Sequence, residues 1–158
     1  MRFRKLTAQD LNGPADLPGF EAWLAGWGAQ DRSALILAPP GAGKGGAVGA
    51  IAKHLKKDVV LCNMLELLDY EDRDRQLRSL LLACQTQRNT VVQLDKLSQA
   101  AEQWSTDGAS DLGDQIAQWL KDARPALEQA NSVVVFAGRE ASGLSPALLD
   151  AVDRKLIV

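Results

Sequence analysis

The sequence predicts an α/β fold in which a five-stranded parallel sheet lies between two layers of helices. Short apolar runs of strand length alternate along the chain with longer segments whose apolar residues recur at helical spacing. The apolar runs are continuous, which is typical of strands buried on both faces of a parallel sheet. The predicted strands are residues 33–38, 58–62, 90–95, 132–138 and 154–158.

The segments between these strands have the periodicity of helices. Phe20, Trp23, Leu24 and Trp27 lie at i, i+3, i+4 and i+7, so they form one apolar face of a short helix. The other predicted helices run from the glycine-rich loop to about Leu55, over 64–69, over 72–88, over 111–130 with a kink or interruption at Pro125, and after Ser145 as N-cap with Pro146 in the first helical position.

Composition limits the class of protein. The 158 residues suit one domain with a sizeable core, and the net charge of −2 gives no clear signal for nucleic-acid binding. No apolar run approaches the roughly 18 residues that a membrane span requires. Cys62 and Cys84 lie in apolar segments without metal-ligand spacing, so we expect reduced core thiols in a cytoplasmic protein.

Three unusual features directly follow predicted strands. They are a glycine-rich loop over 38–45, Asp95 and Gly138. Because ligands of such sheets bind beyond the carboxyl ends of the strands, we expect these features to meet at one ligand-binding edge.

The loop at 38–45 is close to the phosphate-loop pattern G-x-x-x-x-G-K-[ST], and it lies between a predicted strand and a predicted helix. Gly41 and Gly43 allow main-chain N–H groups to turn towards phosphate oxygens, and the helix N-terminus adds its dipole. Lys44 would reach the outer phosphates as a mobile cation. The predicted nucleotide-binding residues of the loop are Pro40, Gly41, Ala42, Gly43, Lys44, Gly45 and Gly46.

The loop departs from the pattern at two positions. Ala38 replaces the first glycine, which is tolerable if the backbone there does not require glycine. Gly45 replaces the Ser or Thr whose hydroxyl holds Mg²⁺ between the phosphates, and Gly46 offers no hydroxyl either. We expect the phosphate cradle to survive these changes better than the metal site, because the cradle is made of main-chain groups.

The order of motifs resembles that of the AAA+ ATPases, from about Leu11 to Val158. Their Walker A motif resembles LILAPPGAGKG, their Walker B motif resembles VVQLDK, and their sensor 1 strand resembles VVVFAGRE. The final segment LSPALLDAVDRKLIV is similar to a later stretch of the family, which reads roughly L-D-P-A-L-L-R-R-F-D-R and is followed by a strand. The resemblance implies a three-layer P-loop NTPase-type fold and binding of ATP or ADP, with Mg²⁺ as a possible companion.

The resemblance also assigns roles outside the loop. The segment DLNGPADLPGFEAWL is similar to the one that contacts adenine, which implies base contacts from Asn12 and Gly13. Asp95 matches the Walker B aspartate, which helps to hold Mg²⁺ through water. Lys96 stands where the family has the glutamate that polarises the attacking water, and a lysine cannot act as that base.

The remaining catalytic positions also differ from the family pattern. Gly138 stands near the polar sensor 1 residue, and Asp150 and Ala151 occupy the region that supplies arginine fingers. Arg154 matches a later arginine that is not the usual finger. The family's helical lid domain would begin where this sequence stops, so we expect a core over 18–158 without a lid. Residues 1–17 are polar and include Gly13 and Pro14, so we expect them to form an N-terminal linker.

These departures predict nucleotide binding with weak or no autonomous hydrolysis. One arginine finger alone is worth about 10³–10⁵ in rate, and several such groups are altered here. We expect a regulatory or structural subunit, with homo- or hetero-oligomeric AAA+ ring partners. Three alternatives stay open: an ATPase completed by partner subunits, an enzyme like the nucleoside monophosphate kinases, and a protein-interaction module without a ligand.

Overall fold

The structure is a computed structural model that describes residues 3–7, 9–11, 16–106 and 111–158. Its strands are β1 (Arg4–Lys5), β2 (Ser33–Leu37), β3 (Asp58–Asn63), β4 (Thr90–Asp95), β5 (Val133–Gly138) and β6 (Arg154–Ile157). Its helices are α1 (Phe20–Ala25), α2 (Lys44–Leu55), α3 (Arg73–Cys84), α4 (Leu97–Thr106), α5 (Leu112–Ala130) and α6 (Pro146–Ala151), and a 3-10 helix covers Met64–Asp69.

One sheet contains all of these strands, in the order β1-β3-β4-β5-β2-β6. The five strands from β2 to β6 pair in parallel, which confirms the predicted parallel sheet. β1 is an addition to that prediction: it pairs antiparallel with β3, through Arg4 with Leu61 and Lys5 with Val60. The segment that we predicted to be a linker therefore contributes a sixth strand at one edge.

Apolar layers cover both faces of the sheet. Successive β2 residues illustrate the division, because Leu35 and Leu37 belong to one buried cluster and Ala34 and Ile36 to the other. The first cluster includes residues of α3, α4, α5 and α6, and the second includes residues of α1 and α2. This is the three-layer α/β arrangement that the sequence predicts.

Two helices differ from the prediction. α4 was not predicted, although Leu97, Ala100, Ala101 and Trp104 are buried at helical spacing. α5 continues through Pro125 without interruption, and Pro125 is exposed. A proline interrupts a helix only if the lost hydrogen bond and the ring clash outweigh packing, and the long apolar face of α5 decides the outcome here.

The short helix α6 confirms a predicted cap. Ser145 Oγ accepts a hydrogen bond from the Leu148 N–H at 3.3 Å, and Pro146 occupies the first turn. Helix α6 therefore begins at the residue that the sequence indicates. Among the described residues, no helix combines the length and the apolar character needed to cross a membrane.

Candidate functional site

The glycine-rich loop joins β2 to α2 at the carboxyl edge of the sheet. Gly41 has φ of 79° and Gly43 has φ of 100°, so both adopt backbone conformations that favour glycine. Ala38 is not among the described non-glycine residues with positive φ, so alanine is accommodated there. Helix α2 begins at Lys44, and the Ala47 N–H donates to the Gly43 carbonyl at 3.0 Å.

Lys44 folds back over its own loop. Its Nζ donates to the Ala38 carbonyl at 2.7 Å and contacts the Pro39 carbonyl at 3.4 Å. Burial lowers the pKa of the Lys44 ammonium; Asp95 opposes that shift, whereas Lys96 and Arg139 add to it. An anionic ligand would compensate the two added cations, so the site is electrostatically suited to phosphate.

Asp95 ends β4 beside this loop. Its Oδ1 accepts a hydrogen bond from the Lys96 N–H at 2.9 Å. Lys96 is exposed and has φ of 65°, and α4 begins at the next residue. The left-handed turn at Lys96 therefore separates the strand from the helix and leaves the lysine side chain at the edge of the site.

A cleft of about 520 Å³ lies in front of the loop. It brings together most of the predicted loop residues, the ends of β3 and β4, and the N-terminal segment. Its lining residues are Arg4, Leu6, Asp10, Leu11, Pro40, Gly41, Gly43, Lys44, Gly45, Leu61, Gln93, Asp95 and Lys96.

The N-terminal wall of this cleft includes Arg4 and Leu6, which were not predicted, beside Asp10 and Leu11 of the segment that resembles the adenine-contacting one. A Cβ at Gly49 of α2 would lie 2.9 Å from the Leu11 carbonyl oxygen, so the glycine lets the N-terminal segment lie against the helix. Sequence reasoning gave Gly49 no role, and only a contact of this kind reveals one. The predicted adenine contacts Asn12 and Gly13 lie outside the described residues.

A smaller cavity of about 40 Å³ adjoins the cleft behind Lys44. Its lining residues are Pro40, Lys44, Asp95, Lys96, Gln99, Gly138 and Arg139. Gln99 Oε1 and Arg139 Nε are both buried and have no hydrogen-bond partner among the described residues. The Arg139 guanidinium lies 3.9 Å from the exposed Glu102 carboxylate. Two residues that line the cavity therefore each have a buried polar atom without a partner among the described residues.

Gly138 ends β5 against α4. A Cβ at this position would lie 2.4 Å from Ser98 Oγ and 3.0 Å from Leu37 Cδ2. Ser98 Oγ accepts from the Arg139 N–H at 2.9 Å and donates to the Glu140 carbonyl at 3.0 Å. Ser98 therefore fills the space in which a side chain at Gly138 would begin.

The space around Gly45 is open, in contrast to the filled space at Gly138. A Cβ there would meet no atom within 4 Å, so the first turn of α2 has room for a Ser or Thr side chain. Sterics do not explain the missing hydroxyl. The loop lacks a metal-binding side chain at a position where one would fit.

Arg154 is held inside the fold. Its guanidinium lies 5.1 Å from the Trp23 ring centroid and 5.4 Å from that of Trp27. It donates to the carbonyls of Trp23 and Gly26, the latter at 2.7 Å, and pairs with Asp31 at 3.2 Å. The side chain is only 15% exposed. It joins β6 to α1 and does not reach outward.

Comparison with protein families agrees with this geometry. Residues 34–158 match the sequence model of the ATPase family associated with various cellular activities (AAA). The chain belongs to the AAA family. The match covers the sheet from β2 to β6, the loop and the helices from α2 to α6, whereas α1 lies before it. No curated protein matches the chain significantly.

Membership of the AAA family implies nucleotide binding, typically with Mg²⁺. The residues present fit a nucleotide, because the loop has the required backbone turns, a lysine and an adjoining cleft. The residues that would hold its phosphates are those of the loop from Pro40 to Gly46, with Lys44 on the outer phosphates.

The fit to Mg²⁺ is poor. The ion prefers oxygen ligands, usually one or two carboxylates together with phosphates and water. The AAA domain offers Asp95, whose Oδ1 already accepts the Lys96 N–H, and has Gly45 where the resemblance places a hydroxyl ligand. Among the described residues, no group of three or more His, Cys, Asp or Glu side chains could hold a metal ion.

Proposed function

We propose that this AAA domain binds ATP or ADP at the loop over residues 38–46 and hydrolyses ATP weakly or not at all on its own. It would then act as a regulatory or structural subunit, whose nucleotide state controls an assembly without rapid turnover. The observation that carries the proposal is a contrast within the site. The phosphate cradle around Gly45 is open, whereas the space beside Gly138, near the predicted sensor position, is filled by Ser98.

The open end supports binding. Gly41 and Gly43 have the positive φ values that turn N–H groups inward, and Lys44 makes hydrogen bonds to carbonyls that a phosphate can replace. A contact between this ammonium and a phosphate joins two opposite charges, so it is stronger than the ammonium–carbonyl hydrogen bond that it replaces. The burial of Lys44 strengthens this preference, because a desolvated cation gains more from an anionic partner.

The filled end supports weak hydrolysis. Ser98 Oγ occupies the space beside Gly138, so a polar sensor side chain there would require the Ser98 side chain to move. Lys96 stands in place of the acidic residue that would polarise water, and a cation cannot take up the proton of that water. Arg154, the arginine of the final stretch, is enclosed by Trp23 and Trp27.

A titration with a fluorescent ATP analogue tests the binding part of the proposal. We expect Lys44→Ala to weaken affinity by about 10- to 100-fold, because a contact to a charged group is worth about 1.5–3 kcal/mol. Lys53→Ala is the matched control, since Lys53 is an exposed lysine in the last turn of the same helix. Equal affinity of the wild type and Lys44→Ala would refute the loop as the binding site.

Light scattering tests the assembly part of the proposal. We expect the chain to form oligomers as its concentration rises, or on addition of a catalytically active AAA partner, and the oligomer to be more stable with ATP than without nucleotide. A strict monomer under every one of these conditions would contradict a role as a ring subunit. It would leave the nucleotide-binding proposal intact.

A further inference from the structure

We propose that this site holds the outer phosphates of its nucleotide without a bound metal ion, with Lys96 and Arg139 supplying the positive charge that Mg²⁺ supplies elsewhere. The inference rests on the proposed function, because it specifies the form of the ligand at the same loop. It follows from three observations: the missing oxygen ligands, the excess of cations, and the unused hydrogen-bonding groups of the small cavity.

The oxygen ligands of a phosphate-bound Mg²⁺ ion are reduced to one side chain. Gly45 supplies no hydroxyl, although the space for one is open. Lys96 follows Asp95 where an acidic residue would add negative charge. The Asp95 carboxylate accepts the main-chain N–H of Lys96, and its charge opposes the lowering of the Lys44 pKa. Asp95 therefore already serves as an acceptor for the main chain and as a counter-charge to Lys44.

The charges around the small cavity are those of an anion site. Lys44, Lys96 and Arg139 are cationic and Asp95 is the anionic residue of its lining, which gives a formal net charge of +2. A metal cation entering this cavity would meet three like charges. A polyphosphate would meet opposite charges in a partly buried place, where electrostatic attraction is stronger than in water.

The hydrogen-bonding groups agree with this assignment. Arg139 lines the cavity, and its Nε is a buried donor with no acceptor among the described residues. A buried donor without a partner is costly, and a phosphate oxygen would remove that cost. Gln99 Oε1, which is also buried and unpartnered in the described part of the chain, would accept from a water molecule that hydrates the phosphate.

The test compares the affinity for ATP in excess Mg²⁺ with that in excess EDTA, at matched ionic strength because screening alone changes such affinities. We expect the two dissociation constants of the wild type to differ by less than about tenfold. Lys96→Glu restores the acidic pair, and we expect it to lower the metal-free affinity by about 10- to 100-fold. With Gly45→Thr added, we expect Mg²⁺ to become necessary for tight binding.

Two further variants make the result specific. Arg139→Gln removes a cation on another element, and we expect it also to lower the metal-free affinity. Lys121→Glu makes the same charge change as Lys96→Glu on the exposed face of α5, and we expect no loss beyond threefold, or about 0.65 kcal/mol. Thermal unfolding of each variant confirms that the binding data refer to folded protein.

The outcomes separate this inference from the proposed function. Metal-free binding that falls in Lys96→Glu and Arg139→Gln supports the inference. Tight binding in Mg²⁺ that disappears in EDTA overturns it, and a dependence on Lys44 in that experiment leaves the proposed function standing. Absence of ATP binding under both conditions overturns both.

Discussion

Gly45 stands where the resemblance to the AAA+ ATPases predicts a metal-binding hydroxyl, and Gly138 stands near the predicted sensor 1 position, but the surroundings of the two glycines differ. A Cβ at Gly138 would lie 2.4 Å from Ser98 Oγ, whereas a Cβ at Gly45 would meet nothing within 4 Å. One departure from the family is thus fixed by packing, and the other is not. Restoring the hydroxyl requires one substitution, and a side chain at Gly138 requires the Ser98 side chain to move as well.

The two glycines give opposite expectations for the same substitution. We expect Gly138→Ala to lower the free energy of unfolding by about 1–3 kcal/mol, because the added methyl group overpacks the contact with Ser98 and Leu37. We expect Gly45→Ala to raise it by about 0.5–1 kcal/mol, because alanine favours the helix that glycine weakens. Urea denaturation measures both.

Ser98→Ala provides the control for this pair. It removes the oxygen nearest to the new methyl group, so Gly138→Ala should cost less in that background, by at least about 0.5 kcal/mol. Full additivity of the two substitutions would show that Ser98 does not fill the sensor position.

At the scale of elements, Arg154 joins the last strand to the first helix. We expect Arg154→Ala to lower the free energy of unfolding by about 2–3 kcal/mol, because it removes charged hydrogen bonds and stacking on two indole rings. Lys155→Ala, at an exposed neighbour on β6, should change it by less than about 0.5 kcal/mol. Chemical denaturation compares the two, and equal effects would contradict a structural role for Arg154.

Helix α5 carries an exposed proline at a cost in stability. We expect Pro125→Ala to raise the free energy of unfolding by about 1–2 kcal/mol. Removing an interior proline gains about 3 kcal/mol in a helix, and the greater freedom of the unfolded chain offsets part of that gain. Thermal denaturation tests this, and a destabilised variant would mean that the proline ring contributes to packing at the surface.

How far each element could be predicted depends on the range of the interactions that form it. The strands β2 to β6 have continuous apolar runs, and Ser145 has a local capping pattern, so both could be read directly. Helix α4 also has a pattern in the sequence, because its buried apolar residues recur at helical spacing. They are Leu97, Ala100, Ala101 and Trp104. β1 has no such signal, because two polar residues form a strand only by pairing with the free edge of β3.

The features of the site also fall into two groups, those with a local sequence pattern and those formed by long-range packing. The loop residues and Asp95 follow a local pattern, so the sequence predicts both their identity and their meeting at one edge. Three features join residues that are distant in the sequence: the filling of the Gly138 space by Ser98, the burial of Arg154, and the N-terminal wall of the cleft, which consists of Arg4, Leu6, Asp10 and Leu11. They depend on how layers pack, and a single sequence does not display them.

At the scale of the whole molecule, the buried thiols link stability to pH. Cys62 and Cys84 are free and buried, and burial raises the pKa of both, that of Cys62 to about 11. Because the unfolded thiol loses its proton near pH 9, the unfolded state gains stability between pH 9 and pH 11, where folded Cys62 keeps its proton. This contribution to stability is present below pH 9 and is lost as the pH rises through that window.

We therefore expect the free energy of unfolding to fall with a smaller slope in Cys62→Ala than in the wild type over that window. The difference should be about 1.4 kcal/mol per pH unit. Denaturation curves at several pH values measure both slopes, and Cys62→Ala removes this titration while leaving the exposed lysines as they are. Identical slopes would show that the Cys62 thiol titrates in the same way in the folded and unfolded states.

For the whole domain, we propose that a nucleotide is held at an open phosphate cradle, next to a catalytic edge that supports weak or no turnover on its own. The most direct measurement is a single-turnover experiment, in which the domain is saturated with labelled ATP and the bound nucleotide is analysed over time. We predict that the bound ATP remains ATP far beyond the timescale of seconds or less that a typical enzyme, with kcat of about 10 s⁻¹, would need. Conversion of bound ATP to ADP within seconds, abolished by Lys44→Ala, would contradict the account.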